Sequence, residues 1–108
     1  MTINIRARGV ELTPAIKEYV EEKMQALEKY AEVTHMDVEV GMSSHHHHKG
    51  DVFQCKVVVD VAGEVVCVEK EEEDLYKAID KVKDHLRESL ADLKRLQAEQ
   101  ATGRSDGS

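Results

Sequence analysis

Residues 2–8, TINIRAR, alternate apolar and polar side chains: Ile3, Ile5 and Ala7 share one face, and Asn4, Arg6 and Arg8 share the other. A period of two is the pattern of a half-buried strand. Gly9 to Leu12 turns the chain. Thr13-Pro14 then predicts a helix start, because the threonine oxygen can accept from free first-turn amides and proline at the first helical position gives up no hydrogen bond. The spacing predicts a helix to about Glu32, with Ile16, Tyr19, Val20, Leu27, Tyr30 and Ala31 along one side and Met24 at its edge. Leu12 is placed to pack back near Ile16. Lys23 falls inside the same arc, where a lysine stem can cover the core while its ammonium reaches water.

Strand alternation returns over residues 33–41, with Met36, Val38 and Val40 facing one way and His35, Asp37 and Glu39 the other. Residues 41–50 read as a polar loop. Residues 52–61, VFQCKVVVDV, are the longest apolar strand: Phe53, Cys55, Val57, Val59 and Val61 form one face, with Gln54, Lys56 and Asp60 on the other. Ala62-Gly63 is a tight reversal into a further strand over 64–70, so the three strands read as an antiparallel meander. Asp74 caps a second helix whose N-terminus is suited by the acidic run Glu71, Glu72, Glu73. That helix is expected to about Gln97, with Leu75, Ala78, Ile79, Val82, Leu86, Leu90 and Leu93 as its core stripe. Residues 98–108 read as a disordered polar tail. The order is β-α-β-β-β-α, and neither helix can bury its stripe alone. The expected fold class is therefore α+β: one two-layer domain over residues 1–97, a four-stranded sheet with two helices on one face.

A chain of 108 residues is too short for two ordinary cores. With 4% aromatics, no Trp and a single Phe, that core must rest on Val, Leu, Ile, Ala and Met. The formal charge of -7 disfavours a generic basic coat for nucleic acid but leaves room for a local basic face. No apolar run is long enough for a transmembrane helix, and no charged-then-apolar leader supports secretion. Cys55 and Cys67 sit inside strand-like runs and read as reduced core thiols; two cysteines alone make no metal box.

Candidate chemistry is sparse. His45, His46, His47 and His48, followed by Lys49, are imidazoles suited to a transition metal, but a structural zinc site needs four convergent ligands and no cysteine pattern supplies them. A polar contact loop that becomes partly cationic below neutral pH is the better reading. Ser43 and Ser44 beside histidines lack the buried acid and the elbow of a triad. Neither GxGxxG nor GxxxxGK[ST] occurs, so the chain is not read as an enzyme and no cofactor is expected. Charge placement says more. Residues 64–74 carry six acids against one lysine, net -5, whereas residues 75–95 carry Lys77, Lys81, Lys83, Arg87, Lys94 and Arg95 against Asp80, Asp84, Glu88 and Asp92, net +2. At 100° per residue Lys83, Arg87 and Lys94 form a narrow stripe with Tyr76 on the same flank, while Lys77, Lys81 and Arg95 lie further round among acids. Such a pattern suits a solvated helix laced with alternating charge, or a face that tracks phosphates.

Three blocks resemble the short form of the ribosome hibernation-promoting family, also called ribosomal subunit interface or ribosome-associated inhibitor proteins. They are NIRARGVELTPAIKEYVEEKMQALEKY (4–30), HHHHKGDVFQCKVVVDV (45–61) and EEEDLYKAIDKVKDHLRESLADLK (71–94), with DLYKAID (74–80) the most specific string. The likeness covers roughly residues 2–96. It implies the same β-α-β-β-β-α fold and a non-catalytic inhibitor of translation in the cytoplasm. Such a protein binds the small ribosomal subunit and its 16S-type ribosomal RNA near the decoding centre, occludes messenger and transfer RNA, and has neither a small-molecule substrate nor a membrane partner. The family's basic position on the first helix matches Lys23. Its frequent basic positions on the outer face of the second helix match positions 85, 88 and 92, which are His85, Glu88 and Asp92 here. Lys81, Lys83, Arg87, Lys94 and Arg95 supply a rotated set of cations, and His45 to Lys49 a loop contact. Long members pair ribosomes through a second C-terminal domain, which residues 97–108 are too few to form. The competing readings are a protein-protein interaction module using its acidic surface, and a metal-responsive binder working through the histidine loop.

Overall fold

The alternation of TINIRAR becomes β1 (Thr2–Arg8), and its parallel neighbour β2 (Val33–Met42) is reached through the helix α1 (Pro14–Gln25). The computed structural model describes the backbone over residues 1–43 and 52–107 and side chains up to residue 99. Thr13 caps α1 as its sequence suggests: the Ile16 amide donates to the Thr13 hydroxyl oxygen at 3.2 Å, and the Lys17 amide donates to the Thr13 carbonyl at 3.0 Å. A cap of this kind stabilises a helix by about 1 kcal/mol.

α1 ends earlier than the spacing predicts. A 3-10 turn (Ala26–Lys29) follows Gln25, closed by the Tyr30 amide donating to the Leu27 carbonyl at 3.0 Å. Apolar spacing cannot separate the two helix types here, because both bring residues three apart onto neighbouring positions. Met24, expected at the edge of the stripe, has no exposed surface and sits with Val20 and Leu27 at its centre.

β3 (Phe53–Val61) and β4 (Glu64–Glu72) complete an antiparallel meander with β2, giving the sheet order β1-β2-β3-β4. Val61 pairs with Glu64 across the two-residue reversal, where Ala62 and Gly63 both take positive φ, 48° and 83°. Two successive left-handed residues match the twist of a tight hairpin. The acids Glu71 and Glu72 belong to β4 rather than to the approach to the second helix. At the other end of the sheet, Gly41 faces Arg8 so closely that a Cβ there would lie 2.1 Å from the Arg8 carbonyl oxygen.

Asp74 caps α2 (Leu75–Gly107): its carboxylate accepts from the Tyr76 amide at 2.8 Å and its carbonyl from the Ala78 amide at 3.1 Å. The helical backbone continues past the expected end at Gln97, since no proline or glycine interrupts it before Gly103. Among the described residues the core-facing stripe nevertheless finishes with Leu90 and the partly buried Leu93.

One hydrophobic cluster joins the layers. Val20, Met24 and Leu27 meet Ala78, Ile79, Val82, Leu86 and Leu90 over Met36, Val38, Val40, Cys55, Val57, Val59 and Val61. The strand residues alternate, so both helices cover the same face of the sheet, as the α+β reading requires. Cys55 lies in this core, and burial pushes its thiol up to about 12. Cys67 is not a core thiol. It pairs with Val58 on the uncovered face and is exposed, so the two sulfurs lie on opposite sides of the sheet.

Candidate nucleic-acid interface

β1, β2 and β4 run in one direction, and each helix follows its strand back across the sheet, so α1 and α2 run side by side in the same sense. Two contacts register them. Near their N-terminal ends the Tyr19 hydroxyl donates to Asp80 at 2.5 Å, and the Tyr19 ring meets Tyr76 edge-on, centroids 4.9 Å apart at 83°. Further along, Glu28, Ala31 and Glu32 line a cavity of about 410 Å³ together with Leu93, Lys94 and Gln97. Lys23, one turn beyond Tyr19, therefore stands level with Lys83, one turn beyond Asp80.

The stripe read from the sequence faces this seam. Tyr76, Asp80, Lys83, Arg87 and Lys94 fall within an arc of roughly 60° on α2 at 100° per residue. Tyr76 and Asp80 touch α1, so the cations on the same arc flank α1 as well.

The six candidate cations separate into two groups. Lys81 is paired with Glu72 at 2.6 Å, and Arg95 with Asp92 at 3.5 Å, both outside the arc that faces the seam. Among the described residues, no carboxylate lies within ion-pair distance of Lys23, Lys83, Arg87 or Lys94. Asp80, an acid of the seam, accepts from the Tyr19 hydroxyl. Lys23 is half-buried with its ammonium 5.2 Å from the Tyr19 ring centroid, a cation–π contact that helps hold its direction. The Tyr19 hydroxyl is pushed up to about 12, first by its hydrogen bond to Asp80, then by burial, then by the negative charges of Asp80, Glu22 and Asp74.

Other surfaces are charge-mixed. His85 and Glu88 line an open cavity of about 250 Å³ between α2 and β4, with Lys70, Lys81 and Asp84. On the uncovered sheet face Arg6 and Arg8 both pair with Glu39, at 3.5 and 3.8 Å, His35 meets Asp37 at 3.1 Å, and buried Gln54 donates to Glu69 at 3.1 Å. These two arginines are thereby directed to a carboxylate within the sheet.

Sequence reasoning placed Tyr19 in the core stripe and missed its role as the clasp of the seam. The partner of its hydroxyl lies 61 residues away, so no local spacing signals it. His45, His46, His47, His48 and Lys49 lie outside the described residues. Among the described residues no group of three or more His, Cys, Asp or Glu is placed to hold a metal ion, and no helix is long and apolar enough to cross a membrane.

A family model described as "Sigma 54 modulation protein / S30EA ribosomal protein" matches residues 3–97. The ribosome hibernation promoting factor of Azotobacter vinelandii is 30% identical over 104 residues, covering 95% of this chain and 92% of that protein. The ribosome hibernation promotion factor of Bacillus subtilis is 33% identical over 81 residues, covering 74% of this chain; the match spans only 41% of that relative's length. Among solved structures, the N-terminal domain of Thermus thermophilus Protein Y superposes with a TM-score of 0.71 at 33% identity, covering 86% of this chain and 99% of that one.

Proposed function

The chain belongs to the Sigma 54 modulation protein / S30EA ribosomal protein family, that of the ribosome hibernation and subunit interface factors, and from that premise we propose that it binds the small ribosomal subunit near the decoding centre and occludes messenger and transfer RNA. It acts as a non-catalytic inhibitor of translation in the cytoplasm. The observation that carries this reading is the α1–α2 seam, where Lys23, Lys83, Arg87 and Lys94 share one flank without carboxylate partners among the described residues.

A net charge of -7 does not oppose it. Recognition follows the local potential rather than the net charge, and among the described residues Lys23, Lys83, Arg87 and Lys94 have no carboxylate within ion-pair distance. Lysine and arginine on a rigid helix pair suit ribosomal RNA, whose backbone and shape are read more than its base edges. Lys81 and Arg95 already have acidic partners and contribute less in this scheme. His45 to Lys49 supply a second contact.

Co-sedimentation with purified small subunits at graded salt tests the proposal. Phosphate contacts release counterions, so binding weakens as salt rises. The triple variant Lys23→Glu, Lys83→Glu, Arg87→Glu, checked for intact folding, is expected to lose co-sedimentation and inhibition of cell-free translation. The variant with Glu71, Glu72 and Glu73 each replaced by Gln is expected to keep both. Full inhibition by the folded triple variant would overturn the seam as the binding face, and absence of subunit binding at low salt would overturn the function.

A further inference from the structure

The seam also carries an aromatic surface that its cations do not explain. Tyr19, Tyr30 and Phe53 are all partly buried against the core, whereas Tyr76 is 39% exposed at the solvent end of the same arc as Lys83 and Arg87. Its position is fixed from behind. The Asp74 cap holds the Tyr76 amide at 2.8 Å, and the Tyr19 ring stands against it at 83°. Tyr19 is itself held by Asp80 through its hydroxyl and lies under the Lys23 ammonium. An edge-to-face pair covers at most one face of either ring, so Tyr19 leaves at least one face of Tyr76 uncovered.

We propose that Tyr76 is a stacking platform for an unpaired nucleobase, with the phosphates of the same strand running toward Lys83 and Arg87. This deepens the RNA-binding reading of the seam and rests on it: the ligand class becomes single-stranded ribonucleotide. Lys83 and Arg87 stand about 10 and about 16 Å from Tyr76 along the helix axis, within reach of the next few phosphates of an extended strand. Every base has a π-face, so stacking on a fixed tyrosine selects unpaired RNA over duplex without selecting sequence. Because the Tyr19 clasp holds the Tyr76 ring before RNA arrives, little ordering remains to be done on binding.

The test uses the full chain with two labelled probes, a short oligoadenylate and an RNA duplex carrying the same number of phosphates, with anisotropy read at several salt concentrations. Tyr76→Ala is expected to weaken oligoadenylate binding on the order of tenfold, with the salt slope unchanged and duplex binding unaltered. Tyr76→Phe retains the affinity because it keeps the ring. Tyr76→Leu, which keeps apolar bulk without a π-face, behaves like Tyr76→Ala. Lys83→Ala lowers affinity for both probes and flattens the salt slope. A folded Tyr76→Ala or Tyr76→Leu variant that binds oligoadenylate like the wild type would overturn the platform, as would equal losses on both probes. Small-subunit co-sedimentation separates this from the parent reading. Ring-dependent binding of oligoadenylate without subunit binding leaves the platform standing and removes the occlusion function, whereas normal subunit binding with no ring dependence does the reverse.

Discussion

Tyr19 donates its phenolic hydrogen to Asp80 at 2.5 Å and thereby ties α1 to α2 across 61 residues of sequence. The bond sets the register of the seam. It also gives the Asp80 carboxylate a partner on α1.

Tyr19→Phe removes that donor and leaves Asp80 without its partner. The expected loss is about 1 kcal/mol, near the low end for a bond to a charged group because the pair is only partly buried, and it is read as a lower urea midpoint. The pH dependence has a definite sign. The folded-state pKa is raised to about 12 from 10.0, so this contribution is complete below pH 10 and is lost as pH rises through about 12. An absorbance titration of the wild type shows a tyrosinate step near pH 12 that is missing in Tyr19→Phe; a persisting step would assign it elsewhere.

The two thiols differ in access. Cys67 is exposed, while burial holds the Cys55 thiol up to about 12, and the thiolate is the reacting form. A thiol reagent at pH 8 is expected to label Cys67 alone in the native protein and both cysteines in denaturant. Rapid labelling of both before unfolding contradicts the placement of Cys55.

Backbone geometry makes two opposed expectations. Ala62 sits at φ 48° ahead of Gly63, a conformation that asparagine tolerates better than alanine in a hairpin of this type. Ala62→Asn should therefore raise stability by about 0.5 kcal/mol. Gly41→Ala should lower it by roughly 2 kcal/mol or more, because the added methyl meets the Arg8 carbonyl and forces β1 away from β2. Thermal unfolding of the two variants reads both; an undisturbed Gly41→Ala protein would mean the parallel pair is looser than described.

Truncation after Gln97 is expected to leave cooperative unfolding intact. Among the described residues, the last fully buried side chain of α2 is Leu90, and Leu93 is the last that packs against the core. Helix beyond the last core-packed residue adds little to global stability. Loss of the cooperative transition in residues 1–97 would move the domain boundary toward the C-terminus.

The element order and the buried faces of the strands were legible because they repeat locally. Ile3, Ile5 and Ala7, or Cys55, Val57 and Val59, declare a period of two within a few residues. Thr13-Pro14 and Asp74 declare helix starts by chemistry that acts within one turn. The end of α1 was less legible, since Ala26–Lys29 keeps helical spacing while tightening into a 3-10 turn. Cys67 was misplaced because β4 runs Val65-Val66-Cys67-Val68, an apolar stretch whose two faces cannot be told apart by alternation.

By itself the sequence determined a four-stranded, two-helix domain and a stripe of Lys83, Arg87 and Lys94 on one flank of the second helix. Only the tertiary structure decided what that stripe faces and which cations keep their charge unpartnered. Lys81 and Lys83 are two residues apart on one helix, yet Lys81 is held by Glu72 at 2.6 Å while Lys83 falls on the arc of Tyr76 and Asp80, the residues that touch α1. Periodicity assigns a side chain to a direction around its own helix. Ion pairing depends on which carboxylate another element brings within a few ångströms, and that is settled when α1 and α2 pack side by side on the sheet.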